Sequence, residues 1–307
     1  MTKAIAFAAY GDADVLQPTD IEVPAPGPGQ VRLTVHAAGV NPLDCKIRSG
    51  AVSAVFPVEL PHVPGLEASG TVEAVGEGVT GLAVGDEVFG PVAGAYAEQL
   101  VVDAGRLAVK PASLSWAEAA ALPVAAETAW RTLELLDVKA GETLLIHAAA
   151  GGVGTLAVQF AVARGVQVIG TASEANHEYL RSLGAVPVTY GDGLAERVHA
   201  VSGGPVDAVL DAAGRDVLGV SVELAGGPER VVTIADAMHA PAHQVRFSSG
   251  GPGQDRTEAA LAGALALHAE GSLRVSIART YPLTDAAEAH RASEHGHHTG
   301  KIVLTIG

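Results

Sequence analysis

The chain has 307 residues, 48% of them hydrophobic, enough to bury two cores, and this excludes a disordered chain. With 34 acidic against 19 basic side chains its net charge is -15, which repels nucleic acid and anionic membranes and argues against either as a partner. Cys45 is the sole cysteine, so an intrachain disulfide and a cysteine-built zinc site are both excluded.

The N-terminus, MTKAIAFAAYGDADV, reaches a Gly-Asp turn without a signal-peptide pattern, and no apolar run attains 18 residues. A soluble, cytoplasmic protein is expected. Residues 3–9 read as a short strand and residues 11–16 as a turn. Residues 22–30 carry three prolines and two glycines and form a loop. Residues 31–38 alternate apolar with polar side chains, the period of a half-buried strand. That strand delivers Gly39-Val-Asn-Pro-Leu-Asp44, which makes Asn41 and Asp44 candidate site residues.

Residues 56–90 are dense in glycine and proline, with valine-rich strands at 68–75 and 87–89 and a further strand at 95–102. This describes a compact, mostly antiparallel barrel in which helices are scarce. The character changes at Ser115, which with Glu118 forms a capping box for a helix at 116–120 that Pro123 interrupts or restarts. A second helix is expected at 127–136. The division between domains is placed at 113/114.

The stretch 141–184 organises the remainder. An apolar run at 143–148 passes through Gly151, Gly152 and Gly154 into a helix-period pattern at 156–162, and a second apolar run follows at 166–169. Strand, glycine turn, helix and strand make a βαβ unit whose glycines let a pyrophosphate approach a helix N-terminus. The pattern departs from GxGxxG, with Ala149 in the first glycine's place, and the alternative reading is a tight strand-to-helix turn. Further strands at 187–190, 207–210, 231–234 and 244–247 alternate with helices at 194–201 and 217–224. That rhythm is a doubly wound parallel α/β sheet, with cofactor at the carboxyl ends of its strands. Residues 248–254 form a loop near that edge, and residues 257–269 a helix. A strand at 276–281, a helix at 285–294 and a strand at 301–306 close the chain. The segment 273–307 is expected to return to the first domain, leaving 114–272 as the cofactor domain.

Six segments carry a family resemblance: GVNPLDCKIRSG (39–50), PHVPGLEASGTVEAVGEGV (61–79), AAALPVAAETAW (119–130), HAAAGGVGTLAVQFA (147–161), VDAVLDAAG (206–214) and HRASEHGHHTGKIVLTI (290–306). In order and spacing the chain resembles the zinc-free quinone oxidoreductase branch of the medium-chain dehydrogenase/reductase superfamily. The resemblance implies a GroES-like, mostly antiparallel barrel as catalytic domain, a Rossmann-type NADPH domain and a homodimer formed through the cofactor domain. It also implies that no metal is used: zinc-using relatives carry a cysteine where this chain has Asn41 and a histidine where it has Leu66, with the glutamate retained as Glu67.

The second strand of the βαβ unit ends Ile169-Gly-Thr-Ala-Ser173 with no acid before Glu174. The missing acid favours NADPH, since a 2'-phosphate would otherwise meet like charge. Thr171 and Ser173 are candidate cofactor contacts. Resembling reductases add a basic residue a few positions on, here His177 or Arg181, and a tyrosine after the third strand, here Tyr190. Ala150, Gly151, Gly152 and Val153 are assigned to the pyrophosphate, and Thr128, Ala213 and Ala235 to the nicotinamide and adenosine sides. Ser173 reads equally as a helix N-cap and His177 as a solvated helix residue.

The implied reaction is hydride transfer to the β-carbon of an enone or to a quinone, with charge developing on the substrate oxygen. Asn41 is the first candidate for orienting substrate or the nicotinamide ribose. Asp44 is expected to brace its loop. Relatives frequently carry a tyrosine a few residues past the asparagine-proline pair; here Cys45, Lys46 and Ile47 follow, and Lys46 is retained as a candidate donor against the alternative of a surface lysine. The histidines at 295, 297 and 298 read as a solvated turn. Two further readings stand beside the first: an enoyl-thioester reductase, and a non-catalytic NADPH-binding structural or sensing protein.

Overall fold

The computed structural model describes residues 1–251, 253–296 and 298–307. Residues Met1–Val124 and Ser276–Gly307 form one compact unit and Ala125–Val275 a second. In chain order the first unit contributes β1 (Thr2–Ala6), β2 (Gln17–Ile21), β3 (Gln30–Val40), α1 (Pro42–Ser49), β4 (Glu67–Val75), β5 (Glu87–Pro91), β6 (Gln99–Asp103), β7 (Ala108–Val109) and α2 (Trp116–Ala120). Helix α3 (Pro123–Leu136) leads into β8 (Thr143–His147), α4 (Gly152–Ala163), β9 (Gln167–Ala172), α5 (His177–Ser182), β10 (Val186–Thr189) and α6 (Leu194–Ser202). Then come β11 (Ala208–Asp211), α7 (Leu218–Ala225), β12 (Val231–Thr233), β13 (Arg246–Phe247) and α8 (Thr257–Ala269). The chain closes with β14 (Ile277–Pro282), α9 (Ala286–His295) and β15 (Lys301–Thr305).

The first unit is built on a seven-stranded sheet in the order β14-β15-β3-β4-β5-β7, with β6 also paired to β3. Every pairing in it except β14 with β15 is antiparallel. Strand β3 organises it: Val31, Leu33 and Val35 point into the core while the intervening side chains stay half-buried, as a period of two requires. Ile302 of β15 stands opposite Val40, and Ala68 of β4 opposite Ala38, so the starts of β15 and β4 flank the end of β3. Lys301 and Glu67 are thereby brought to the two sides of Asn41, which follows β3 directly.

The second unit is a six-stranded, wholly parallel sheet in the order β10-β9-β8-β11-β12-β13. Its order reverses between β8 and β11, where consecutive crossovers pass to opposite faces and leave a crevice at the carboxyl ends of the strands. The central strand β8 presents Leu144, Leu145 and Ile146, all fully buried, as a strand covered on both faces must.

Several expectations change. Residues 42–49 are a helix, because Pro42 occupies its first position, where a missing N–H costs nothing, and Gly50 ends it with φ 79°. The strand expected at 95–102 begins only at Gln99; Ala97 bridges to Ala4 instead, and the Ile5 N–H donates to the Tyr96 carbonyl. Strand β2, unanticipated, lies in a separate two-stranded sheet with β1 and carries Pro18, which only an edge tolerates. Pro123 restarts the chain as α3 four residues earlier than the apolar period indicates.

Candidate functional site

In the second unit the turn after β8 is shaped by backbone. Ala148 has φ 53°, and Gly151 takes the N-cap position of α4 with no side chain capping it. The opening N–H groups of a twelve-residue helix are therefore presented with no side chain of their own to satisfy them, the geometry that receives an anion. Gly154 is required for packing: a Cβ there would lie 2.3 Å from the Ala148 carbonyl oxygen and 2.7 Å from Ala149 Cα. At Gly151 the nearest atom, the same carbonyl oxygen, would be 3.3 Å away. The third glycine of the pattern is thus structural, and the alanine at 149 is no defect, being fully buried beneath the turn.

A polar chain holds this turn from below. The Ala148 N–H donates to Thr171 Oγ1 at 3.2 Å, and Thr171 Oγ1 pairs with His147 Nδ1 at 3.5 Å. His147 Nε2 lies 3.0 Å from Ser221 Oγ, whose own proton goes to the Val217 carbonyl. These partners assign the His147 proton to Nε2. Burial pulls the imidazole down to about 4, so it is neutral near pH 7. Sequence reading placed Thr171 among cofactor contacts; its side chain is buried and engaged with this turn.

Around the same sheet edge, Ser173 follows β9, and its Oγ accepts from Asn176 Nδ2 at 3.3 Å. His177 opens α5, and its Nε2 is buried without a hydrogen-bond partner. Tyr190 is exposed just past β10, on a loop whose carbonyls at Thr189, Gly191 and Asp192 accept from the Arg197 guanidinium. Ala213 and Gly214 donate their N–H groups to the buried Asp211 carboxylate, whose other oxygen accepts from Thr233 Oγ1. That hydroxyl also accepts from the Ala235 N–H at 3.1 Å. Asp211 therefore ties together the turns after β11 and β12 that carry Ala213 and Ala235. Thr128, half-buried on α3, accepts the Thr132 hydroxyl through its backbone carbonyl.

The first unit holds a different kind of cluster. Asn41 Nδ2 donates to Glu67 Oε1 at 3.0 Å. Lys301 Nζ donates to the same oxygen at 2.6 Å and also to Asn41 Oδ1. Glu67 Oε2 accepts from the Val124 N–H at 2.8 Å, at the N-terminal end of α3 where a carboxylate is favoured. Glu67 is fully buried, and Lys301 only 8% exposed. Gly39 makes room for this carboxylate, since a Cβ there would fall 2.2 Å from Glu67 Oε1.

Behind Asn41, Asp44 Oδ2 accepts from the Asn41 N–H at 2.8 Å and from Tyr96 Oη at 3.4 Å. Tyr96 Oη lies 3.1 Å from His290 Nε2. Burial raises Asp44 to about 7 and lowers His290 to about 3, with the nearby Arg48 charge adding to the latter. Cys45 is buried, its thiol pushed up to about 12, which leaves it unreactive as a nucleophile. Lys46 is exposed on α1, outside this network. The buried ammonium of the cluster is Lys301, which sequence reading missed. The available signal was the strand pattern at 301–306, whose first residue is charged where burial was expected.

Among the described residues, no three His, Cys, Asp or Glu side chains gather as a metal-holding group. Of the histidine run, His295 Nδ1 bonds the Arg291 carbonyl, and His297 lies outside the described residues. No helix among them is long and apolar enough to cross a membrane.

Two family descriptions match the chain: an alcohol dehydrogenase GroES-like domain at residues 27–112 and a zinc-binding dehydrogenase at residues 183–304. The quinone oxidoreductase of Pseudomonas aeruginosa is 35% identical over 330 residues, covering 99% of each chain. The pikromycin polyketide synthase component PikAII of Streptomyces venezuelae is 38% identical over 315 residues, covering 97% of this chain and 8% of that protein. The chain spans 5 to 14% of the length of three such synthases. A mycobacterial protein solved in complex with NADPH is 31% identical and superposes with a TM-score of 0.86, covering 99% of each chain. The parallel sheet with its open helix N-terminus, the antiparallel sheet carrying Asn41 and these relatives agree: the chain belongs to the zinc-free, quinone-oxidoreductase branch of the medium-chain dehydrogenase/reductase superfamily.

Proposed function

We propose that the protein is an NADPH-dependent reductase delivering hydride to the C=C of an enone or to a quinone. The observation that carries the cofactor assignment is the end of β9: Ala172 is followed by Ser173, with no carboxylate to accept ribose hydroxyls. The buried, unpartnered His177 Nε2 nearby fits a phosphate oxygen as its partner. Gly151, Gly152 and Val153, with Ala150 before them, would hold the pyrophosphate at the N-terminus of α4. Ser173, His177 and Tyr190 would hold the adenosine phosphate, Thr128 would serve the nicotinamide end, and Thr171, Ala213 and Ala235 would shape the adjoining walls.

When bound, NADPH supplies the hydride. Asn41 donates an N–H toward the substrate oxygen, where negative charge develops as the β-carbon accepts hydride, and stabilises that charge. Asp44 braces Asn41 through its backbone. Lys46, exposed on α1, stands at the solvent side, and water completes protonation. A cytoplasmic location, where this reductant is available, fits the reading. A homodimer through the cofactor domain fits the edge strand β13, both of whose residues are exposed and which pairs on one side with β12. Sedimentation at micromolar concentration tests this, a monomer being the contrary result.

A second reading, reduction of an enoyl thioester, is favoured by the 38% identity to the Streptomyces venezuelae synthase. A panel of a quinone, a small enone and an enoyl-coenzyme A, each with NADPH and NADH, separates the two. The first reading expects turnover of the quinone or enone with NADPH; exclusive turnover of the thioester replaces it with the second.

A further inference from the structure

We infer that Lys301 is a positioning residue that, with Glu67, locks the side-chain amide of Asn41 in one orientation. The inference rests on the reading in which Asn41 donates to the substrate oxygen. An amide presents a carbonyl on one arm and an NH2 on the other, and in isolation the two exchange places by a half-turn about the last torsion. Here the exchange is forbidden electrostatically. Lysine has only donors and carboxylate only acceptors, and each faces one arm: Lys301 Nζ toward Oδ1, Glu67 Oε1 toward Nδ2 at 3.0 Å. A half-turn would set NH2 against ammonium and carbonyl against carboxylate, both buried.

The lock is assembled from three separate strand ends. Asn41 follows β3, Glu67 begins β4 and Lys301 begins β15, so the register of the sheet sets the distances. Lys301 and Glu67 also bond each other at 2.6 Å, which fixes the two jaws relative to one another. The network uses one of the two Nδ2 protons. The second is left with its direction determined, ready to bind an oxygen at which charge develops. A preset donor of this kind needs no reorganisation at the moment of hydride transfer.

A double variant, Glu67→Gln with Lys301→Met, tests the lock. It removes both charges together, which avoids stranding either one in the interior, and the carboxamide that replaces the carboxylate accepts from or donates to either arm of Asn41. The chain contains two asparagines, Asn41 and Asn176, so selective [15N]asparagine labelling gives two side-chain NH2 pairs, and Asn176→Gln assigns them. The lock predicts that the double variant folds, that the Asn41 NH2 pair shifts and exchanges with water at least about tenfold faster, and that NADPH affinity stays within about twofold. It further predicts that kcat falls about tenfold to a hundredfold. An Asn41 pair unchanged in shift and exchange overturns the inference, whether or not the enzyme turns over any substrate. A loosened amide with wild-type kcat also overturns it, and leaves the NADPH-reductase reading standing. Failure of the wild-type protein to reduce any member of the panel counts against that reading instead, with the amide signals still deciding the lock.

Discussion

The two units build their candidate sites by opposite means. In the parallel unit the turn after β8 works through backbone, with a helix N-terminus, a left-handed Ala148 and a glycine that admits no Cβ, all between Ala148 and Gly154. In the antiparallel unit the cluster works through side chains at positions 41, 67 and 301, which only the pairing of β15, β3 and β4 brings together. The first kind of site tolerates changes of side chain and fails when the backbone is crowded. The second tolerates changes of backbone entropy and fails when one charged partner is removed.

The sharpest test of that contrast lies in the glycine turn. Gly154→Val forces a Cβ against the Ala148 carbonyl at 2.3 Å and is expected to weaken NADPH binding by more than about a hundredfold, measured by fluorescence titration. Gly151→Ala, with 3.3 Å available, is expected to fold normally and to lose no more than about tenfold. Equal effects at the two positions would remove the distinction between a packing glycine and an approach glycine.

In the side-chain cluster, Glu67→Ala leaves Lys301 buried without its carboxylate and the α3 N–H of Val124 without an acceptor. A loss of about 3 to 5 kcal/mol is expected by denaturant titration. A loss below about 1 kcal/mol would show that the cluster is not desolvated.

Two buried groups, His147 in the parallel unit and Asp44 in the antiparallel unit, shift the pH dependence of stability in opposite directions. His147 falls from an ordinary value near 6.5 to about 4 on burial, so the folded state binds fewer protons than the unfolded state between those values. Its contribution is present above pH 6.5 and lost as pH falls through about 4. Asp44 moves the other way, from 3.8 up to about 7, through burial and against the pull of the Asn41 N–H, Lys301 and Tyr96. Its contribution is present below pH 3.8 and lost as pH rises through about 7. His147→Gln should therefore flatten the acid limb of a melting-temperature profile, and Asp44→Asn should flatten the decline toward neutrality, each by about 1 to 3 kcal/mol. Slopes unchanged by both substitutions would contradict the burial assigned to these groups. The smallest effect is expected at Lys46, exposed on α1: Lys46→Ala should change stability by less than about 0.5 kcal/mol in the same titration.

The same contrast explains what was legible. The parallel unit could be read strand by strand, because apolar runs such as Leu144 to Ile146 recur with helices between them and each step is local. The glycine turn was readable for the same reason. The antiparallel unit was readable as a class from its turns and valine-rich segments, yet α1 was not expected: the segment after β3 was read only as carrying site residues, while Pro42 at its first position starts a helix. Lys301 was missed for a deeper reason. Nothing near it in the chain needs an ammonium; its partners lie 260 and 234 positions away and are supplied by strand register. Lys46 was retained as a donor because it falls in the short segment where relatives carry a tyrosine, while the helix turns it to solvent. His147 likewise reads in the glycine motif as an ordinary strand end, and its link from Thr171 to Ser221 becomes visible only when β9 and α7 are packed beside β8.

The central claim is that hydride passes from NADPH to carbon or to a quinone, and isotope transfer measures it most directly. NADPH deuterated in turn at each face of nicotinamide C4, incubated with the protein and a small enone, should yield product carrying one deuterium at the β-carbon from one face only, with NADH supporting a much slower reaction. Product without deuterium from either face, or equal rates with NADH, would contradict the account.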